Sequence, residues 1–505
     1  MLKRALALTL ALVCCLGILA GCGGYGQGAG SGEAEIIAVP FENKPTIDVY
    51  MTANNQLDVD GCYVTKLVEN TINVDLNVLE LDSFQNQYIP MLAQKIVPDL
   101  TLHNDGGTIA RTYGPQGAYI NILDYLDQMP NVKKFLEENP TTTFNVDGKM
   151  YGIPTKNEAA TATTCWIWRQ DILDKHNLTV PTTLDEWYNT LVTLKGLYPN
   201  STPFIMRNVY AWDKWWANWG LTTYTGTGTS VIIQPNGKVE YPFIRPEYKE
   251  WVTFMRKLIK EGLLYEAWQS LETGGWYEAF ANDRAFVTYD KLDRIPFLNQ
   301  NVQSVNPSAV FTASPGFACN ESGAAGSYQT DSSIHIIIGN GDNLSNTLAY
   351  VNWLYSDEGI ECTNWGKEGE TYTVDENGQR NFKPEVLAKF VEYGLTQTAV
   401  GSTTAFDAYS AAQDESVRAC MEAVLPYATL RMPDRIEFTE DEMVIFDTYK
   451  VGVNERAKGY MAKFMLGDKD IEKDWDSYVQ ELYSLELQKV IDIHVAAYKR
   501  AGMID

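Results

Sequence analysis

"NVDLNVLELDSFQNQYIPMLAQKIVPDLTLHN" (73–104) decides the fold class. Residues 73–81 alternate apolar and polar side chains, the two-residue period of a strand with one buried face. Residues 83–96 space their apolar side chains as a helix does, and the short apolar run 98–104 reads as a third, buried strand. The same pattern precedes them: TIDVYMT (46–52) is rich in strand formers and GCYVTKLVENTI (61–72) has helical periodicity. Strands alternating with helices imply an α/β layer with a largely parallel sheet. Ligands bind beyond the C-terminal ends of such strands. Those ends carry Asn54 and Asn55, and then His103, Asn104 and Asp105.

Further along, DGKMYGIPTKNEAATATTCWIWRQDIL (147–173) holds a turn at Asp147-Gly148, a short strand, a loop and a second strand. Trp166 and Trp168 alternate with Ile167 there, so they share one face. Two extended segments passing between α/β lobes would make a hinge. TTLDEWYNTLVTLKGL (182–197) opens on a capping signal, Thr182 or Thr183 followed by acids in the first turn. PEYKEWVTFMRKLIKEG (246–262) is an amphipathic helix closed by Gly262. WYEAFANDRAFVTYD (276–290) reads helix, turn, strand, and the last ~70 residues are largely helical. In YAWDKWWANWG (210–220), Trp212, Trp215, Trp216 and Trp219 fall at i, i+3, i+4 and i+7, one face of an α-helix.

At 505 residues the chain is too long for one core, so two or three domains are expected. Lys3 and Arg4 precede an apolar run, Ala5–Ala20, too short to span a bilayer comfortably. It ends in LAGC, which resembles the bacterial lipobox and makes Cys22 the lipidated first residue of the mature chain. GGYGQGAGSGE then reads as a flexible tether with a reach of roughly 20 Å. Without residues 1–21, 38 basic side chains face 65 acidic ones, a net charge of −27. That balance argues against nucleic acid and anionic lipid as partners. Cys62, Cys165, Cys319, Cys362 and Cys420 are widely spaced, neither a disulfide framework nor a zinc pattern, and read as buried thiols with at most one or two bridges.

Catalytic signatures are missing. His103, His176, His335 and His494 occur singly, without metal-ligand spacing. No P-loop, no strand–GxGxxG–helix unit and no GxSxG elbow occurs. With 65 acids, a carboxylate pair for glycoside hydrolysis is not excluded by sequence. No cofactor is expected.

Four stretches then resemble the bacterial extracellular solute-binding lipoproteins of ABC importers, specifically the large oligosaccharide-binding group of the maltodextrin-binding-like family. They are DGKMYGIP through WRQDILDKHNLTVPTTLDEWYNTL, WVTFMRKLIKEGLLYEAW, VNWLYSDEGIECTNWGKEGETYTVDENGQ (351–379) and the C-terminal helices of 462–500. The resemblance implies a two-lobed α/β periplasmic-binding-protein fold (type II), each lobe a sheet flanked by helices, with a ligand cleft between lobes. Lobe one would hold 41–155 plus ~320–405, and lobe two ~165–315 plus ~406–505, after a signal peptide at 1–21 and a tether at 22–40. It further implies a non-enzymatic monomer that delivers an oligosaccharide to a permease and is held on the outer membrane face through Cys22. Some members carry a calcium loop after the helix corresponding to 183–195. Here no Asp or Glu occurs from Trp187 to Trp212, so no metal is expected there. The alternatives are a peptide or other solute on the same fold, and a surface glycoside hydrolase.

A sugar site needs aromatic platforms and planar polar groups in a mostly preformed cleft. Relatives place a cleft carboxylate where Asn157 and Glu158 stand. Trp166 or Trp168 would line the cleft or pack the hinge. In lobe two, Arg207, Tyr210, Trp212 and Trp215 are the cleft candidates, with the other indoles left to the core. Trp276 and Tyr277 follow Gly274-Gly275 as a stacking loop, and Asp290 ends a strand as a hydroxyl acceptor. Glu368 and Tyr372 belong to the family's own motif. Arg169, Arg207, Lys156 and Lys291 are the cations that could read a uronic acid.

Overall fold

The structure is a computed structural model. It describes residues 37–504 apart from 53–56, 82–83, 104–105, 140–144, 147, 156–162, 208–214, 222–230, 234–236, 330–334, 397–399, 402 and 432–437.

Eight strands build the two principal sheets: β1 (Thr46–Thr52), β2 (Asp75–Leu81), β3 (Leu100–His103), β4 (Ile153–Pro154), β5 (Thr164–Arg169), β6 (Val287–Lys291), β7 (Phe311–Ser314) and β8 (His335–Ile338). The first sheet has the order β2-β1-β3-β8-β4. Its β1, β2 and β3 run parallel, as their alternation with helices requires, and β8 is antiparallel to β3 and β4. The helix Tyr63–Ile72 connects β1 to β2. The helix expected over 83–96 is broken into a π-turn, Phe84–Tyr88, and a short α-helix, Ile89–Ala93. Pro90 has no N–H to continue a regular ladder, which accounts for the break.

The second sheet has the order β6-β5-β7, with β5 antiparallel to both neighbours. Every residue of β5 is buried, so the strand is covered on both faces. Trp166 and Trp168 enter one apolar core with Trp187, Phe204, Trp251 and Tyr289. Cys165 and Ile167, on the opposite face, enter another with Phe280, Leu298, Phe311 and Met421. The first sheet has its own core, around Val49, Leu100, Leu102, Ile153, Ile336–Ile338, Val351 and Leu354. The chain passes between the sheets from β4 to β5 and back from β7 to β8. It crosses again at the helix Phe406–Ala411, whose Ala408 lies in the first sheet's core while Tyr409 packs on the second's. The five cysteines among the described residues are buried and unbridged.

Candidate functional site

Two adjacent strand ends set the site. The segment from Pro203 runs parallel to β6: Phe204 bridges Val287, Ile205 N–H donates to the Val287 carbonyl (3.2 Å) and Val287 N–H to the Pro203 carbonyl (3.1 Å). Three residues further along each, Arg207 and Asp290 meet at the C-terminal ends of parallel neighbours, where α/β sheets present ligands. Arg207 donates from Nε to Asp290 Oδ2 (2.6 Å) and from Nη2 to Oδ1 (3.2 Å), a side-on two-point pair. The Lys291 backbone N–H also donates to Oδ1 (2.7 Å) and fixes the carboxylate. The two side chains are only 17% and 8% exposed. Ion pairs this sheltered add little net stability, because desolvation offsets the attraction. The Lys291 N–H and the Trp276 ring hold the pair at the strand ends, which makes it the candidate for ligand contact.

Aromatic side chains complete the cluster. The Arg207 guanidinium lies 5.7 Å from the Trp276 ring centre, and Trp276 Nε1 donates to Thr288 Oγ1 (3.4 Å). Tyr277, next on the helix Thr273–Ala281, is half-buried 5.2 Å from Trp276. Burial raises its phenol, the charges of Arg294 and Arg207 lower it and those of Asp290 and Asp293 raise it, for a net upward shift. A second side-on pair stands beside the first: Arg294 donates from Nε and Nη2 to Asp293 (2.6 and 3.1 Å), its guanidinium 5.1 Å from the Phe297 ring centre. Tyr409 packs against the same core as Tyr277, and burial first, then the charge of Asp293, pushes its phenol well above the usual range, with Arg294 opposing. Two charge-neutral pairs therefore stand at and just past a strand end, beside a core on which both Tyr277 and the crossing helix's Tyr409 pack.

Arg207, Asp290 and Tyr277 are thus brought together, and His103 ends β3 half-buried, as its strand position requires. Other expectations need correcting. Trp166, Trp168 and Trp215 are fully buried in one core and offer no cleft surface. Trp276 is buried too: Gly274 and Gly275 form the first turn of a helix, and the indole sits beneath Arg207 instead of on a stacking loop. Tyr372 is buried against Trp365, its hydroxyl donating to Glu361, and Glu368 is exposed in the tight turn that precedes it. Gly366 in that turn has φ +84°, and a Cβ there would meet Thr371 Oγ1 at 2.5 Å. The motif shapes a turn, and among the described residues no contact joins it to Arg207. Cys22, Asn54, Asn55, Asn104, Asp105, Asn157, Glu158, Tyr210 and Trp212 lie outside the described residues. Asp293, Arg294 and Tyr409 were missed. The first two had a faint signal in the acid–base run just past a strand end; Tyr409 comes from over a hundred residues away and had none.

Two sheets with separate cores, joined by crossing segments and carrying paired charges at strand ends, define a two-lobed ligand-binding protein. The chain belongs to the bacterial extracellular solute-binding protein family, whose model matches residues 63–363. It therefore works outside the cytoplasm. It is similar to the fructooligosaccharide ABC transporter substrate-binding protein FusA of Streptococcus pneumoniae, 23% identical over 98% of this chain and 97% of that one. Its fold is that of the alginate-binding protein AlgQ2 crystallised without calcium, with a TM-score of 0.73, 21% identity and coverage of 92% and 100%. S. pneumoniae FusA in complex with kestose gives a TM-score of 0.69 at 19% identity, covering 90% and 99%.

Proposed function

We propose that this chain is the ligand-capturing component of an ABC importer, and that it holds an oligosaccharide between its lobes without altering it. The carrying observation is the Arg207–Asp290 pair at two parallel strand ends, edged by Tyr277. A sugar hydroxyl donates and accepts at once, so it matches a guanidinium beside a carboxylate better than either alone. Tyr277 offers an aromatic face to the C–H side of a ring. The similar proteins named above bind fructooligosaccharide, kestose and alginate by their descriptions, which supports a sugar as the ligand class.

On this reading lobe one comprises 41–155 and ~320–405, and lobe two ~165–315 and ~406–505. His103, Asn104, Asp105, Asn54 and Asn55 face the sugar from lobe one, Asn157 and Glu158 from the hinge, and Tyr210 and Trp212 join Arg207 in lobe two. A diacylated Cys22 holds the monomer on the outer face of the membrane, beside the permease that accepts the closed form.

A thermal-shift screen of the purified protein against oligosaccharides tests this. A sugar at 100 Kd should add roughly 2.7 kcal/mol to stability. Titration of the best sugar should then give saturable heat, with the sugar recovered intact. Arg207→Ala and Asp290→Ala should each weaken binding at least about tenfold. A sugar recovered cleaved, or no sugar that shifts the melt, contradicts the proposal.

A further inference from the structure

We infer that the ligand is an uncharged oligosaccharide, and that Asp290 and Asp293 are the residues that exclude uronic-acid sugars. The inference rests on the oligosaccharide reading and adds the substrate class to it.

A uronate carboxylate is bound by a cation whose hydrogen-bonding fork is open to it. The side-on fork of each guanidinium in the cluster is already taken by an aspartate, which leaves only the Nη1 edge. Arg207 gives Nε and Nη2 to Asp290, and Arg294 gives Nε and Nη2 to Asp293. A third carboxylate there would bring two anions to one arginine, in a setting sheltered enough to screen them poorly. The other candidate cations do not change this. Arg169 is buried, held two-point by Asp171 (2.7 and 2.6 Å) and paired with Asp283 (2.8 Å). Lys291 follows Asp290 on β6 and so projects from the opposite face of the strand. Lys156 lies outside the described residues.

What the pairs leave available suits hydroxyls. Arg207 Nη1 has no partner among the described residues and can donate, while the Asp290 and Asp293 oxygens retain lone pairs that can accept. Trp276 and Phe297 lie close to the two guanidiniums and restrict them, so neither swings away to meet a free anion. The net charge of −27 on the mature chain opposes an approaching polyanion over longer distances.

The test compares two panels by thermal shift and titration: neutral fructo-, gluco-, galacto- and xylo-oligosaccharides, and oligogalacturonates with alginate oligomers. The wild-type protein should bind a neutral sugar, with affinity nearly constant from about 50 mM to about 500 mM sodium chloride, and bind every uronate at least about tenfold more weakly. Asp290→Asn should open the Arg207 fork and raise uronate affinity about tenfold or more, with a new dependence on salt. Asp293→Asn, in the more exposed pair at 24% and 27%, should do the same at Arg294 and carries the test if Asp290→Asn fails to fold. A wild-type protein that binds a uronate as tightly as its best neutral sugar overturns the inference and leaves the oligosaccharide reading intact. So do folded variants that gain no uronate affinity. Silence of both panels overturns the oligosaccharide reading itself.

Discussion

Trp215 touches Trp166, Trp187, Phe204, Trp219 and Tyr289, so aromatic rings hold its indole from several sides. The spacing of the tryptophans showed that they act together, but not which way each would face. Their partners come from distant segments, and no local period carries that information. An unpaired buried N–H costs free energy. Trp166, Trp168, Trp187, Trp216 and Trp219 nevertheless bury indole N–H groups without a partner among the described residues. Each ring buries about 150–250 Å², worth roughly 4–6 kcal/mol, against roughly 1–3 kcal/mol for the orphaned donor. Size wins. Trp215→Ala should therefore cost about 3–5 kcal/mol in urea unfolding and change sugar affinity less than about threefold. A stable Trp215→Ala protein that has lost sugar binding would return this indole to the cleft.

At the scale of elements, periodicity was a good guide to strands and helices, and capping to their starts. The helix Leu184–Leu197 uses both threonines in its signal: Thr183 Oγ1 accepts from Glu186 N–H (3.2 Å), and the Glu186 carboxylate accepts from Thr182 N–H and Oγ1 (both 2.9 Å). Less legible were irregular turns. Trp216–Trp219 form a 3₁₀ turn, in which residues i and i+3 eclipse. Both indoles therefore bear on the helix Pro246–Lys260, Trp216 at Tyr248 and Trp251, Trp219 at Phe254. The long helix Glu440–Leu466 starts in a capping box, Thr439 with Glu442, to which Arg500 is added (3.0 and 2.7 Å). Burial raises the Glu442 carboxyl, but Arg500 and Thr439 lower it more, so it lies below its ordinary value. A carboxyl lowered in the folded state contributes stability above its unfolded pKa, about 4.3, and loses that contribution as pH falls through the folded value. Wild type should accordingly melt above Glu442→Gln at pH about 7, and the gap should shrink towards pH about 3. A gap independent of pH would show that the carboxylate charge is irrelevant to the cap.

For the molecule as a whole, the alternation in 46–104 was enough to place a parallel sheet, and the run 147–173 located a crossing. The candidate cluster was legible where it is built from strand ends, as at Arg207 and Asp290. It was illegible where tertiary packing adds a distant residue, as with Tyr409 on a helix that packs on both cores. That bridging position suits hinge closure, in which a ligand bound to one lobe is completed by the other. Capture between lobes, the central claim, is tested most directly by hydrogen-exchange mass spectrometry of the protein with and without its best-binding neutral oligosaccharide. The account predicts slowed exchange together at 204–207 and 287–294 in lobe two and at 100–103 in lobe one. Protection confined to one lobe, or found at neither, would contradict it.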